Sequence, residues 1–434
     1  MKTYYSLSEV ADMLSVSKAT LRRWDKSGKL NPVRHPVNNY RVYSLESLKQ
    51  FPEIRFLFDD TPHEIVIPDR EYSVVELFAG AGGLALGLER AGLKCALLNE
   101  IDHWACETLR ANRPNWNVIE DDVANIDFSA YRGKIDVVTG GFPCQAFSYA
   151  GKKLGFEDAR GTLFYEFARA VNEIRPLIAV GENVRGLLKH DKGRTLDGMI
   201  NVLDELGYDV LEPKVLKAIF YRVPQKRERL FLIAIRKDAS IRFEYPRPHK
   251  KLYSLKDALK AGELYKVDVP RSEGQKYPKK KHKVMDMVPQ GGYWKDLPVE
   301  VQKEYMMTSF YLGGGKTGMA RRMSWEEPCL TLTCSPAQKQ TERCHPDETR
   351  PFTVREYARI QTFPDDWTFE GSLSAQYKQI GNAVPVNLAF HIGEAIVKAL
   401  NSQFQEINYP NLEELTPYQL QLLESSQQIY LPSD

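Results

Sequence analysis

From Ser73 onward, short apolar runs alternate with segments of helical period, and this alternation limits the chain to very few architectures. Runs at 74–78, 95–98, 135–138, 177–180 and 230–235 read as buried strands. Strands alternating with helices imply a parallel, doubly wound α/β sheet covered on both faces. The first strand leads into Phe78-Ala79-Gly80-Ala81-Gly82-Gly83-Leu84, a glycine loop that opens a helix and lets backbone approach a ligand at the helix N-terminus. Glu100 falls 20 positions after Gly80, at the end of the second strand, where a carboxylate accepts both hydroxyls of a ribose. The pair Asp121-Asp122, following the third short strand, is placed to bond an adenine amino group. A nicotinamide dinucleotide fits these features as well as any other nucleoside cofactor.

With 434 residues the chain has room for about three domains. Its 43 % hydrophobic and 27 % charged residues are those of a globular protein, which excludes a disordered or collagen-like chain. No run approaches the roughly 18 apolar residues of a membrane span, and the first residues lack a signal-peptide core. A cytoplasmic protein with reduced thiols is therefore expected. The net charge of +2 conceals an asymmetry: residues 1–50 hold nine Lys/Arg against four Asp/Glu, and residues 241–350 hold 21 against 14. Two basic segments flanking an acidic one fit two contacts to a polyanion.

The first segment reads as a small helical unit. Ser6 and Glu9 form a capping-box pattern, Leu7, Val10 and Leu14 share a helical face, and Ser17 is placed to cap a second helix over 18–26. That helix carries Arg22 and Arg23 and stops at Ser27-Gly28, after which Asn38-Asn39 predicts a hairpin wing and Ser44 a further short helix. The order resembles the winged helix-turn-helix of MerR-type regulators and excisionases, over residues 1–51; a plain helical cap is the competing reading. Residues 52–71, with Pro52, Pro62 and Pro68, read as a linker, and 401–434 as a polar tail.

The cofactor is decided at Gly140-Gly141-Phe142-Pro143-Cys144-Gln145-Ala146-Phe147-Ser148, which sets a thiol at the carboxyl edge of the sheet. A lone cysteine is usually a small core hydrophobe, but this one sits in a Gly- and Pro-rich loop beside a cofactor pocket. Glu182, in Gly181-Glu182-Asn183-Val184, and Arg227 and Arg229, in the run entered at Pro224-Gln225, reach the same edge. Further on stand Arg355-Glu356 and Gly381-Asn382-Ala383-Val384-Pro385. Taken in order, these six motifs resemble the cytosine-C5 DNA methyltransferase family from about residue 74 to residue 400.

The resemblance implies an S-adenosylmethionine-dependent methyltransferase fold, a flipped-out cytosine in duplex DNA, and a defined chemistry. Cys144 adds to C6, protonated Glu182 bonds N3, Arg229 with Arg227 holds O2, and C5 then takes the sulfonium methyl of S-adenosyl-L-methionine. It assigns the cofactor to the loop residues Phe78, Ala79, Gly80, Gly82, Gly83 and Leu84, and to Glu100, Ile101, Asp122 and Val123. Pro143, Leu163, Asn382, Ala383 and Val384 complete that pocket. DNA contacts fall to Gln145, Ser148, Thr331 and Leu332, with Arg22 and Arg23 in the N-terminal unit. The catalytic domain then spans 72–240 and 351–400, and the target-recognition domain 241–350. Cys329, Cys334, Cys344 and His345 do not have paired Cys-x2-Cys spacing, so no metal is expected.

The implied role is modification enzyme of a bacterial type II restriction-modification system, a monomer with a cognate endonuclease as functional partner and no membrane association. Two other readings share the motifs: an RNA methyltransferase of the same fold, and a transcriptional regulator that only senses the cofactor. Residues 1–51 are further expected to repress the protein's own promoter and to be dispensable for methylation.

Overall fold

A computed structural model describes residues 4–35, 39–64, 66–143, 162–313 and 316–405. Cys144, Gln145 and Ser148 lie outside the described residues, as do Asn38 and the tail from 406.

The N-terminal unit follows its sequence signals closely. β1 (Tyr4–Ser6) passes directly into α1 (Leu7–Met13), then come α2 (Lys18–Lys26), β2 (Val33–Arg34), β3 (Arg41–Ser44) and α3 (Leu45–Leu48). The capping box is formed: the Glu9 N–H donates to Ser6 Oγ at 3.2 Å and the Ser6 N–H to Glu9 Oε2 at 2.9 Å. Ser17 caps α2 and Ser44 caps α3. β3 pairs antiparallel with both β1 and β2, which makes the wing. The expected linker does not begin at Pro52. Residues Pro52–Phe58 form a 3-10 helix whose Ile54 and Leu57 are buried, because their apolar side chains complete the core beneath the winged unit.

The central sheet comes next: β4 (Tyr72–Leu77), α4 (Gly83–Arg90), β5 (Leu93–Glu100), α5 (His103–Asn112), β6 (Val118–Glu120), β7 (Val137–Gly140), α6 (Leu163–Ile174), β8 (Ile178–Val184) and α7 (Arg194–Glu205). β9 (Tyr208–Val210), β10 (Lys214–Lys217), β11 (Gln225–Lys226) and β12 (Glu228–Arg236) follow. The strand order is β10-β12-β8-β7-β4-β5-β6, with β9 also on β12. β4 to β8 are mutually parallel, as expected, but β12 runs antiparallel to β8, β9 and β10. The sheet is therefore mixed. The chain returns from β10 to β12 through ten residues, 218–227, too few for the helical crossover a parallel neighbour needs.

Alternate strand residues feed opposite cores. Val74, Val137, Ile178 and Phe231 point to one face, and Val75, Val138, Ala179 and Leu232 to the other. The second face is covered by α6 and α7, and the first by α4 and the last helix.

Beyond β12 regular structure thins to α8 (Leu255–Leu259), α9 (Lys279–Asp286), α10 (Val299–Met306) and β13 (Cys329–Leu330), before α11 (Val354–Ile360), α12 (Leu373–Asn382) and α13 (Val386–Gln405). A separate small core joins Tyr277, Met285, Trp294, Met306 and Cys344. Phe243 and Leu255 instead pack into the cores of the sheet unit. The stretch 373–403 is long and apolar enough by composition to cross a membrane, yet 72 % of its apolar window is buried in protein. α13 owes that burial to α4: a Cβ on Gly87 would overlap Ala389, so the two helices meet at backbone distance.

Candidate active site

Residues 78–82 turn the chain from β4 into α4 at the carboxyl edge of the sheet. Phe78, Gly80 and Gly82 take φ of 58°, 53° and 82°. Left-handed backbone at a residue such as Phe78 costs roughly 1–3 kcal/mol and persists only where surrounding structure holds it. Glu100 holds it here. Its Oε2 accepts from the Gly80 N–H at 2.7 Å, while Oε1 accepts from the N–H groups of Ile101 and Asp102, each at 2.8 Å.

A Cβ on Gly80 would meet nothing within 4 Å, so the loop faces open space there. Ile101 beside it is 67 % exposed, a large apolar side chain available to the face of a heteroaromatic ring. Asp122 is exposed and caps the next turn by accepting from the Ala124 N–H at 3.0 Å, over buried Val123. A helix N-terminus, a carboxylate at a strand end, an exposed isoleucine and a second carboxylate are a donor set that fits a nucleoside cofactor. Ala79 and Leu84 are buried and shape the turn from below. Gly83, the first residue of α4, lies against Ala383 and the Val384 carbonyl, which brings Asn382, Ala383 and Val384 to the same rim. Leu163 opens α6 and packs against the core of the second face.

The second half of the site lies one strand over. β7 ends at Gly140, and the following loop is pinned by Asn183, whose Nδ2 donates to the Phe142 carbonyl at 2.8 Å. Gly141 has Glu182 Oε2 only 3.1 Å from its Cβ position. Exposed Pro143 thus leaves the sheet beside Glu182, and Cys144 is the next residue in the chain. Glu182 and Arg229 are each 8 % exposed and pair through Oε1 and Nε at 2.5 Å. Burial pushes the Glu182 carboxyl above the usual carboxylate range, against the pull of Arg229. Burial also lowers the Arg229 guanidinium, opposed by the Glu182 charge.

Arg227 is not part of this pair. Its guanidinium donates to the carbonyls of Leu332, Gly381 and Asn382 at 3.1, 2.9 and 3.3 Å, so it braces two segments of the chain against each other. Leu332 corrects in the same way: it is 1 % exposed, and its N–H donates to Gln225 Oε1 at 2.9 Å. An apolar side chain sealed in the core offers no surface to DNA. Thr331, partly exposed, binds the Lys226 carbonyl through Oγ1 at 2.5 Å.

Three residues of the site were missed in the sequence. Gln361 bonds Gln225 at 2.9 Å and the Ile380 carbonyl at 2.8 Å, locking the two arms together. Glu76 stands in the middle of β4, wholly buried, its carboxyl pushed up to about 8 by desolvation; an acid inside the apolar run Val74-Val75-Glu76-Leu77 was the visible signal. Lys226, between Gln225 and Arg227, reaches Asp12 of α1 at 2.9 Å and so brings the N-terminal unit to the site. A cavity of about 420 Å³ lies between them, lined by Asp12, Ser15, Val184, Arg229 and Thr331 among others. Arg22 and Arg23 are exposed on α2.

Comparison with known proteins gives a consistent picture. Residues 72–398 match the model of the C-5 cytosine-specific DNA methylase family, and residues 5–61 that of the MerR HTH family regulatory proteins. The type II methyltransferase M.Eco47II of Escherichia coli is 66 % identical over 404 residues, covering 92 % of this chain and 97 % of its own length. M.Sau96I of Staphylococcus aureus is 49 % identical over 397 residues, 91 % of this chain and 88 % of its own. Among solved structures, a prophage-encoded DNA modification methyltransferase of E. coli superposes with a TM-score of 0.60 at 24 % identity, over 76 % of this chain and all of that one, and shares the fold.

Proposed function

The chain belongs to the C-5 cytosine-specific DNA methylase family, and from that premise we propose how its own residues carry the reaction. It is a DNA cytosine-5 methyltransferase of the type II restriction-modification kind. S-adenosylmethionine, the donor we assign, supplies an electrophilic methyl group when bound. The glycine loop, Glu100, Ile101, Asp122 and the 382–384 rim would hold its nucleoside and amino-acid portions.

The observation that carries the reading is the buried Glu182–Arg229 pair beside the loop that ends in Pro143. Cys144, as thiolate, forms a bond to C6 of cytosine; the ring electrons shift onto N3, which takes a proton from Glu182. Burial raises this carboxyl and so favours the protonated form that the step needs. Arg229 stays cationic beside it and offers its remaining donors to O2. C5 is now the nucleophilic carbon. Once C5 has gained a methyl group, it loses its proton to solvent water, the thiolate departs from C6, and N3 returns its proton to Glu182, which restores the aromatic ring as 5-methylcytosine. C6 is inaccessible in a stacked duplex, so the base is flipped out at a cost of a few kcal/mol, recovered through contacts to pocket and phosphates.

In the cell we assign a cytoplasmic monomer that protects host DNA from a cognate endonuclease. Nucleoside analysis after incubation with donor tests the reading: 5-methylcytosine forms in duplex DNA and not in tRNA. Methyl label in tRNA alone, or on adenine, overturns it.

A further inference from the structure

The winged unit is welded to the enzyme, not tethered to it. Tyr5, Val10, Leu21 and Tyr43 of the unit, Ile54 and Leu57 of the 3-10 helix, and Leu216, Ile219, Phe220 and Phe231 of the catalytic sheet form one continuous apolar core. Polar contacts fix its orientation. Lys226 Nζ lies 2.9 Å from Asp12 and 3.4 Å from Glu327, and Glu327 in turn pairs with Lys18 at 2.5 Å. Asp12, Lys226, Glu327 and Lys18 thus form a chain of alternating charge, its inner members largely shielded from solvent. Lys217 Nζ donates to the Met13 carbonyl at 2.9 Å, and Ser15 Oγ to Glu228 at 3.4 Å.

These contacts set α2 in a particular place. Lys226 is the neighbour of Arg227 in the strand run that leads to Arg229, and Glu327 stands four residues before Thr331. The α1–α2 turn therefore walls the cavity that Arg229 and Thr331 also line. α2 starts beside that wall with Lys18. At 100° per residue Lys18, Arg22, Lys26 and Arg23 fall within one arc of about 140°, and Lys26 lies about 12 Å along the axis from Lys18. Arg22, Arg23 and Lys26 are exposed, and among the described residues none of them has an acidic partner. Among the described residues of the unit no long helix is present to pair with a second copy: the helix after the wing is only Leu45–Leu48, and the next turn is spent in the shared core. A welded single copy whose basic face begins at the cleft is poorly suited to a separate palindromic operator.

We propose that the winged unit is a fixed part of the substrate surface, with Arg22, Arg23 and Lys26 of α2 gripping backbone phosphates of the same duplex whose cytosine enters beside Glu182 and Arg229. This rests on the functional reading above. It replaces the expectation that residues 1–51 act as an independent repressor dispensable for methylation.

The test is the triple variant Arg22→Ala/Arg23→Ala/Lys26→Ala in the full chain, which removes exposed side chains and no core. Affinity for duplex DNA carrying the methylation site is measured by fluorescence anisotropy from low to moderate salt, with KM and kcat for the same duplex. The expected result is a tenfold or larger rise in Kd and in KM, a kcat changed far less, and a salt slope shallower by about 2–3, near 0.9 per lost phosphate contact. A lengthened duplex should show footprint lost on one flank only. Unchanged Kd, KM and slope overturn the proposal. Methylation by the wild-type protein is scored separately: its absence overturns the functional reading, while the binding comparison still decides where α2 lies. A variant with altered circular dichroism is replaced by Arg22→Gln/Lys26→Gln, judged by the same criteria.

Discussion

Glu182 is asked to do what an ordinary surface glutamate does not, namely deliver a proton while lying 2.5 Å from a guanidinium. Desolvation makes this possible, and it gives the enzyme a signed pH dependence. Because the protonated form is the working one, kcat/KM should fall as pH rises through the raised Glu182 value. Glu182→Gln should remove that alkaline limb and lower kcat by about 10²–10⁴-fold, with donor affinity changed less than threefold, since the amide bonds N3 but yields no proton. Retention of the alkaline limb in the variant would place the titrating group elsewhere. Arg227 and Arg229 show where residue spacing stops being informative. Both stand in one short motif with the same chemistry, yet one pairs with Glu182 and the other braces three carbonyls. Which guanidinium is left to meet Glu182 depends on the partners brought by residues 332 and 381–382, more than a hundred positions away.

At the scale of elements, the contact between α4 and α13 depends on Gly87 having no side chain. Gly87→Val should lower stability by about 1–3 kcal/mol through overpacking, read as a drop in melting temperature; an unchanged melting temperature would mean the helices are free to separate. A second junction joins His63, His249 of the segment after β12, and His391 of α13. The His63 and His249 rings stack at 3.8 Å, and His249 Nε2 meets His391 Nε2 at 3.1 Å. Burial, then the neighbouring His391, pushes His249 down to about 3, so it is neutral when folded. The unfolded chain takes up the proton near pH 6.5, so this contribution is intact above that pH and is lost progressively as pH falls toward 3. Allowing for solvent screening at a half-buried site, acidification from pH 7 to 5 should cost on the order of 1 kcal/mol, and His249→Gln should blunt that loss. Identical pH profiles would rule the cluster out. Parallel strands β4 to β8 and the capped helices were legible because local pattern and burial agree there. The direction of β12 and the burial of Ile54 and Leu57 were not, since both are decided by what the rest of the chain brings alongside. Pro52 reads as a linker signal until the apolar surface it serves is in place.

For the whole molecule, one apolar core runs from the winged unit into the catalytic sheet, so the two family matches at 5–61 and 72–398 mark evolutionary units more sharply than physical ones. Removal of residues 1–58 should uncover Ile219, Phe220 and their neighbours and give an aggregating or lower-melting protein, checked by size-exclusion chromatography and thermal melting. A soluble truncation of unchanged melting temperature would show the core to be divisible. The order of motifs along the sequence already located Glu182, Glu100 and the glycine loop at one sheet edge, because in doubly wound sheets the carboxyl ends of the strands gather there. The position of the winged unit at that edge was illegible, since Asp12, Lys226 and Glu327 have no local pattern that announces their meeting. Methyl transfer by this chain rests on covalent addition by Cys144. Its most direct measurement is denaturing electrophoresis of the protein after incubation with methyl donor and duplex DNA in which every cytosine is 5-fluorocytosine, where no C5 proton can be lost and the adduct cannot resolve. The wild-type chain should run as a covalent protein–DNA band that Cys144→Ala does not form; a band of equal strength in Cys144→Ala, or none in a wild-type protein that methylates ordinary DNA, would contradict it.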